Sequence, residues 1–191
     1  MLHYSDRINR SDNHNPFDVM LLHETFSTFF IPKLAGGAAN FDGNTLIPFE
    51  FRKNMAFIGS LSLGFNLNAV SEEERQQYKD AVTEFKKERE DLQDTYVYRL
   101  KSAYNSPYAV WEYVKRDRKV VTVFGFVNGK HYNHEHIERV LLTGLVEGAK
   151  YKCVNDGKIY TEESLTKIGL DLSKQLEFNL NSVKLRFEIV E

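Results

Sequence analysis

The clearest pattern of hydrophobic and polar positions predicts one long amphipathic helix in the first half of the chain. Ser71 and Glu74 have the spacing of a capping box, in which each side chain accepts a hydrogen bond from the other residue's backbone amide. After them, apolar residues recur on one stripe at helical spacing, and charged residues fill the remaining surface. The stripe consists of Tyr78, Ala81, Val82, Phe85 and Leu92. The pattern predicts a helix over residues 72–92.

Two other apolar runs precede this helix. Residues 19–32 are rich in Phe and Thr, and a buried strand or a short helix would fit them equally well. Residues 54–68 are mostly apolar, which favours a strand buried on both faces, as in a parallel sheet. Residues 35–45, rich in Gly, Ala and Asn, predict a flexible connection between the two runs.

After residue 94 the pattern changes to short β-branched and aromatic segments separated by turn signals. Their rhythm predicts an all-β domain with the architecture of an antiparallel sandwich. The predicted strands are 95–100, 108–116, 119–127, 137–145, 149–155 and 183–191. The last one alternates strictly, and Val183, Leu185, Phe187 and Ile189 are expected to face inward.

Composition narrows the functional classes. The chain has 191 residues, 42% of them hydrophobic, which is enough for a substantial core. A net charge of −2 gives no electrostatic basis for binding nucleic acid or an anionic membrane. The single cysteine, Cys153, excludes an intrachain disulfide and a thiolate metal site. It also favours a reducing compartment, and no signal peptide is visible, so we expect a cytoplasmic protein.

Few residues suggest chemistry by themselves. His131, His134 and His136 are close enough to suggest a metal, but no helix or strand period places all three on one face, so a solvated loop is favoured. Trp111 and Cys153 lie in strand patterns, where core packing and a buried thiol are the expected roles. No glycine-rich phosphate loop is present, and no cofactor or metal is predicted.

Asp6 and Asp12 each follow a serine, ahead of the first apolar run. An aspartate in such a position is usually a turn or capping residue, and spacing alone favours that role over catalysis.

Several tracts in order resemble the melibiase-like α-galactosidases of glycoside hydrolase family 36. The stretches "RSDNHNPFD" and "FSTFFIP", followed by residues 45–90, are similar to the family's Ser-Asp-Asn tract, strand-ending proline, Pro-Leu-Glu-x-Arg tract and Ser-Glu-Glu-Glu helix. Residues 108–127 look like its Ala-Ala-Trp-Met-x-Val strand pair, and residues 141–170 resemble its Leu-x-Gly-Leu ending. The resemblance covers nearly the whole chain from about residue 11.

The resemblance implies an α/β plus all-β architecture. Residues 1–94 would be the last strands and final helix of a catalytic (β/α)₈ barrel, and residues 95–191 a C-terminal antiparallel β-sandwich. A complete barrel takes roughly 200–250 residues. The earlier barrel strands would therefore lie outside this chain.

The resemblance also implies retaining glycosidase chemistry with two carboxylates. Aligning Pro32 with the family's strand-ending proline places the family's general acid/base on Asp12, and Asp6 is the second candidate. His14 and Asn15 depart from the Thr-Asp-Ala continuation of the family tract. The nucleophile belongs to an upstream Lys-x-Asp tract that is not on this chain.

Two functions are compatible with these observations. The chain could be the C-terminal fragment, or one piece of a split gene, of an enzyme that hydrolyses terminal α-galactosides of oligosaccharides such as melibiose or raffinose. It would be inactive alone and would act as a homo-oligomer or paired with an upstream barrel chain. The alternative is a non-catalytic, carbohydrate-associated β-sandwich, an accessory subunit that acts through a partner.

Overall fold

The computed structural model describes residues 48–58, 61, 68, 70–127, 139–177 and 181–190. The chain divides into two compact units, Met1–Gln93 and Asp94–Glu191. The described part of the first unit is helical, and that of the second is dominated by one antiparallel sheet.

The first unit contains a short helix, α1, at Phe49–Phe57. The strand predicted over 54–68 is therefore wrong for residues 54–57, which complete this helix. The reason is that α1 is buried on most of its surface, including Phe51, Met55 and Phe57. A short helix buried nearly all round has the same continuous apolar pattern as a buried strand, so periodicity cannot separate the two.

The predicted long helix is confirmed as α2, Glu72–Gln93. The Ser71 amide donates to Glu74 Oε2 at 3.0 Å, and the Glu74 amide donates to Ser71 Oγ at 3.2 Å, which completes the capping box. Of the apolar stripe, Tyr78, Ala81, Phe85 and Leu92 are buried and Val82 is half-buried. Two edge-to-face ring pairs, Phe49–Tyr78 and Phe57–Phe85, each with centroids 5.3 Å apart, pack α1 against α2.

The second unit is built on a six-stranded sheet. Its strands are β1 Thr95–Lys101, β2 Tyr108–Lys115, β3 Val120–Val127, β4 Lys150–Cys153, β5 Ile159–Thr161 and β6 Ser182–Val190. Their order across the sheet is β1-β2-β3-β6-β4-β5, and every neighbouring pair is antiparallel. The predicted antiparallel β character is confirmed. The short strand β5 was not predicted from the sequence.

Residues 139–149, which we call the cover segment, correct the strand predicted over 137–145. Val140 makes an isolated bridge with Leu170, and residues 141–145 are irregular. Val140, Leu142 and Leu145 are nevertheless buried, which explains their strand-like pattern. Together with a π-helical turn at Ser164–Ile168, the cover segment packs on one face of the sheet. Within the described residues, the second layer is therefore irregular chain and not a second sheet.

The core of the second unit lies between this layer and the sheet. Phe187 and Val183 are buried in it, with Leu185 and Ile189 half-buried on the same face, as their alternation predicted. The opposite face of β2 and β3 is also buried. Trp111 lies there with its ring centroid 5.5 Å from that of Phe126, so its predicted core role is confirmed.

Candidate functional site

The residues that the resemblance links to catalysis lie outside the described part of the structure. This holds for Asp12, Asp6 and the neighbouring His14, and also for residues 131–136, which contain the clustered histidines. The general acid/base role of Asp12 therefore stays a prediction. Within the described residues, no group of three or more His, Cys, Asp or Glu side chains could hold a metal ion.

Polar residues in the first unit join its two helices. The Arg52 guanidinium is buried on α1, hydrogen-bonds the Tyr78 hydroxyl and lies 5.8 Å from the Phe49 ring centroid. Burial raises the pKa of Tyr78, and Arg52 partly offsets this. Arg52 comes from the Pro-Leu-Glu-x-Arg-like tract, and in the described structure its contacts fix the packing of α1 on α2.

Lys53 makes a second link between these helices. Its Nζ lies 2.8 Å from Glu50 Oε2 and 3.4 Å from Glu84 Oε2. Burial lowers the pKa of Lys53, but the two carboxylates outweigh it and the pKa is raised overall. The lysine is therefore held in its charged form between two acids, which is a structural arrangement.

Glu112 has the most unusual environment of any described carboxyl group. It lies on β2 between Val110 and Val114, on the face that packs against the cover segment, and it is fully buried. Oε2 accepts a hydrogen bond from the Thr143 amide at 2.9 Å, whereas Oε1 is buried without a hydrogen-bond partner. Burial raises the pKa of Glu112 from 4.5 to about 8, and the Thr143 bond only partly opposes this. The carboxyl is therefore mostly protonated at neutral pH.

The unusual environment of Glu112 has a visible sign in the sequence, although the hydrophobic pattern alone did not single it out. Glu112 is the one charged residue within the apolar stretch from Tyr108 to Val114. A charged residue inside a run of buried positions indicates a carboxyl that must be neutralised or paired. Which of these applies depends on what packs over the strand.

Tyr151 fixes the other end of the cover segment. Its hydroxyl accepts a hydrogen bond from the Val146 amide at 3.0 Å and donates one to the Arg118 carbonyl at 3.0 Å. Burial raises the pKa of Tyr151, so the hydroxyl keeps the proton that it donates. Tyr151 thereby ties the cover segment to the turn between β2 and β3.

Cys153 is a buried thiol in β4, as predicted. Burial raises its pKa, which keeps the thiol protonated and unreactive. Asp156, in the following turn, accepts hydrogen bonds from the Lys158 amide at 3.0 Å and the Tyr160 hydroxyl at 3.2 Å. These contacts close the β4–β5 hairpin, and the described part of the hairpin has a structural role.

Residues 108–185 match the family model "Glycosyl hydrolase family 36 C-terminal domain". Over 132 residues the chain is 30% identical to the α-galactosidase Mel36A of Lactobacillus acidophilus. That alignment covers 68% of this chain but 18% of Mel36A, so the chain spans under a fifth of that relative.

Solved structures of α-galactosidases have a fold similar to that of this chain. The galactosidase domain of the α-galactosidase–sucrose kinase AgaSK superposes with a TM-score of 0.85 over 100% of this chain and 27% of its own, at 22% identity. A substituted form of the family 36 α-galactosidase AgaA from Geobacillus stearothermophilus, in complex with raffinose, superposes with a TM-score of 0.66. That match has 25% identity and covers 73% of this chain and 19% of AgaA.

None of the helices in the described ranges is long and apolar enough to cross a membrane. The matched domain, the curated relative and the solved structures all agree with the resemblance in the ordered tracts. Residues 108–185 therefore match the C-terminal domain of glycosyl hydrolase family 36, the family that the ordered tracts of the chain resemble.

Proposed function

We propose that this chain is the C-terminal portion of a retaining α-galactosidase that hydrolyses terminal α-galactosides of oligosaccharides, and that it is inactive alone. The observation that carries the proposal is the match of residues 108–185 to the family 36 C-terminal domain, together with a curated α-galactosidase relative. The alignment covers 18% of that relative, so most of an enzyme of that length lies outside this chain. This supports the proposal that the chain is inactive alone.

In this proposal residues 1–94 are the end of a (β/α)₈ barrel. The superposition on the AgaSK galactosidase domain extends over the whole chain and not only over the β unit, which supports this assignment. The long helix α2 also fits, since barrel strands are each followed by an outer helix. The β unit then has a structural role in the enzyme.

The proposed chemistry divides two carboxylates between two parts of the enzyme. The upstream part supplies the nucleophile, which attacks the anomeric carbon and forms a glycosyl-enzyme. Asp12 protonates the departing oxygen and then takes a proton from the water that hydrolyses the intermediate, with Asp6 as the second candidate for this role. The chain alone lacks the nucleophile and cannot complete a turnover.

An accessory, sugar-binding role is the weaker alternative. Such a role needs exposed aromatic faces for stacking. Among the described residues, Tyr96 and Tyr104 are the tyrosines with the largest exposure, at 42% and 61%. The Arg116 guanidinium lies over the Tyr96 ring at 5.6 Å and occupies that face. The described surface therefore offers no row of free rings.

Location and assembly follow from the same proposal. We propose a cytoplasmic location because the chain has a single cysteine and that thiol is buried. In the proposal the upstream part completes the barrel by pairing with this chain, and a homo-oligomer of the completed enzyme is compatible with the same proposal.

The test uses hydrolysis of a nitrophenyl α-galactoside. The isolated chain should release no nitrophenol, whereas a chimera in which this chain replaces the corresponding C-terminal part of Mel36A should be active. In the chimera, Asp12→Asn should lower kcat by at least about 100-fold, the usual contribution of a general acid. Asp6→Asn is the matched control and should retain activity.

Two outcomes would contradict this proposal, and a third would reassign its catalytic acid. Hydrolysis by the isolated chain that survives Asp12→Asn would exclude both the fragment assignment and the role of Asp12. A folded chimera without activity would show that this chain does not complete such a barrel. Loss of activity in Asp6→Asn, with Asp12→Asn still active, would move the acid to Asp6.

A further inference from the structure

We propose that Glu112 is a proton-operated latch, which holds the cover segment on the sheet while its carboxyl is neutral and releases that segment when the carboxyl ionises. The inference concerns the β unit and is independent of the proposed hydrolase activity. It rests on three features of the structure: the burial of the carboxyl, its single bond to the cover segment, and the groups around it.

The position of Glu112 places its side chain inside the core. Across the sheet it is paired with Tyr98 of β1 and Val123 of β3. Its neighbours on the same face of β2, Val110 and Val114, are fully buried and belong to the core cluster. A carboxyl in such surroundings has lost its water, and the charged form is much more costly there than the neutral form.

The contact with Thr143 is the point where the carboxyl touches the cover segment. The Thr143 amide donates to Oε2 across 31 positions of sequence, which ties a central strand to the layer above it. On either side, the amide of Leu142 bonds the Leu165 carbonyl at 3.0 Å, and that of Val146 bonds the Tyr151 hydroxyl at 3.0 Å. The glutamate bond therefore lies between two anchored points.

The second carboxyl oxygen decides the response to ionisation. Oε1 is buried without a hydrogen-bond partner. In the neutral form no charge is buried, and the unpaired oxygen costs only the desolvation of a neutral polar group. In the ionised form, one backbone bond must balance a full buried charge, and a buried charge without a cation or further donors is strongly destabilising. Separation of the cover segment would admit water to both oxygens.

The groups around Glu112 do not compensate that charge in the described structure. The titratable residues on the neighbouring elements include Tyr98 of β1, Arg118 of the β2–β3 turn, Arg139 and Glu147 of the cover segment, Glu162, and Tyr151 of β4, whose pKa Glu112 itself helps to raise. Arg118 and Glu162 act on Tyr151, and Arg139 and Glu147 are exposed. The two influences on the pKa of Glu112 are burial, which raises it, and the Thr143 bond, which lowers it. No described cation pairs with this carboxyl.

The sign of the effect follows from the pKa. Between the ordinary value of 4.5 and about 8, the folded carboxyl keeps a proton that the unfolded chain has lost. The contribution of this group to stability is therefore greatest at low pH and declines as the pH rises from 4.5 to about 8. The cover segment should therefore open progressively more often as the pH rises towards about 8, and the effect should level off above that value.

Hydrogen–deuterium exchange of the whole chain tests the latch, at about pH 6 and about pH 9 and corrected for intrinsic amide exchange rates. In peptides from residues 139–149 the wild-type chain should lose about 100-fold protection at the higher pH, because the opening equilibrium rises about 10-fold per pH unit from pH 6 to about 8 and then levels off. Peptides from β3 should change less than about 2-fold, because the latch acts locally. Glu112→Gln should remove the pH dependence while it keeps an acceptor for Thr143.

Glu147→Gln is the matched control. It removes an exposed carboxyl from the same cover segment and should behave like the wild type. If Glu112→Gln does not fold, judged by circular dichroism, Glu112→Met provides an uncharged side chain of similar length and should also lack the pH dependence.

Three results would overturn the proposal. The first is a wild-type cover segment that is equally protected at both pH values. The second is a folded Glu112 variant that keeps the wild-type response. The third is equal loss of protection in β3, which would show that the whole unit opens and that the cover segment has no latch of its own.

Discussion

At the scale of single residues, two glycines of the cover segment, Gly144 and Gly148, have a left-handed backbone. Gly144 has φ +70° and lies against the Tyr98 ring, so that a Cβ there would be 2.8 Å from the Tyr98 hydroxyl oxygen. Gly148 has nearly the same backbone angle, φ +71°, with open space around it. The pair separates the cost of a left-handed backbone from the cost of a steric clash.

Gly144→Ala should therefore destabilise the chain more than Gly148→Ala does. Gly148→Ala should cost about 1 kcal/mol, the usual penalty for a left-handed alanine. Gly144→Ala carries that penalty and must also displace the Tyr98 ring, for a total of about 2–4 kcal/mol. Urea unfolding gives both free energies, and equal losses would show that Tyr98 moves aside at no cost.

At the scale of elements, helix α2 is specified locally and α1 is specified by its neighbours. The start of α2 is fixed by the reciprocal bonds of Ser71 and Glu74, and its length by the stripe that it buries. Helix α1 has no side-chain cap at its N-terminus, and its surface is buried on most sides. Such a helix depends on tertiary packing, which is why its sequence did not distinguish it from a strand.

Removal of the α2 cap should have a measurable cost. Ser71→Ala deletes the acceptor for the Glu74 amide and should lower the free energy of unfolding by about 1 kcal/mol. Gln77→Ala replaces an exposed residue inside the same helix and should change stability by less than about 0.5 kcal/mol. Urea unfolding followed by circular dichroism compares the two. Equal effects would mean that tertiary contacts alone position the start of α2.

At the scale of the whole molecule, the proposed function makes this chain one part of a larger enzyme. The chain superposes over its full length on a galactosidase domain of which it represents 27%. The barrel strands that would complete residues 1–94 are not on this chain in the proposal. Apolar side chains that those strands would cover should then be open to water.

The isolated chain should accordingly bind the dye ANS, which fluoresces on exposed apolar surface. In the chimera with the upstream part of Mel36A, the same surface should be covered and dye binding should fall. A chain that is monomeric and shows no ANS fluorescence would indicate that residues 1–94 bury their apolar side chains in another way. The chimera controls for apolar surface on the β unit, which both proteins share.

Sequence by itself determined the features that depend on neighbouring residues or on strict periodicity. These are helix α2 with its capping box, five of the strands to within one or two residues, the inward face of β6 and the order of the family tracts. The signals are local, since a cap or an alternation requires no knowledge of distant chain. The catalytic assignment of Asp12 also comes from sequence and awaits its test.

Only the tertiary structure decided which segments of the chain pack over the helices and the sheet. It turned residues 54–57 into helix, made an irregular cover of residues 139–149, and buried Glu112 beneath it. The reason is physical: apolar pattern shows that a residue is buried but not what buries it. The protonation of Glu112 depends on the layer above β2, and the residue of that layer that it bonds, Thr143, is 31 positions away in sequence.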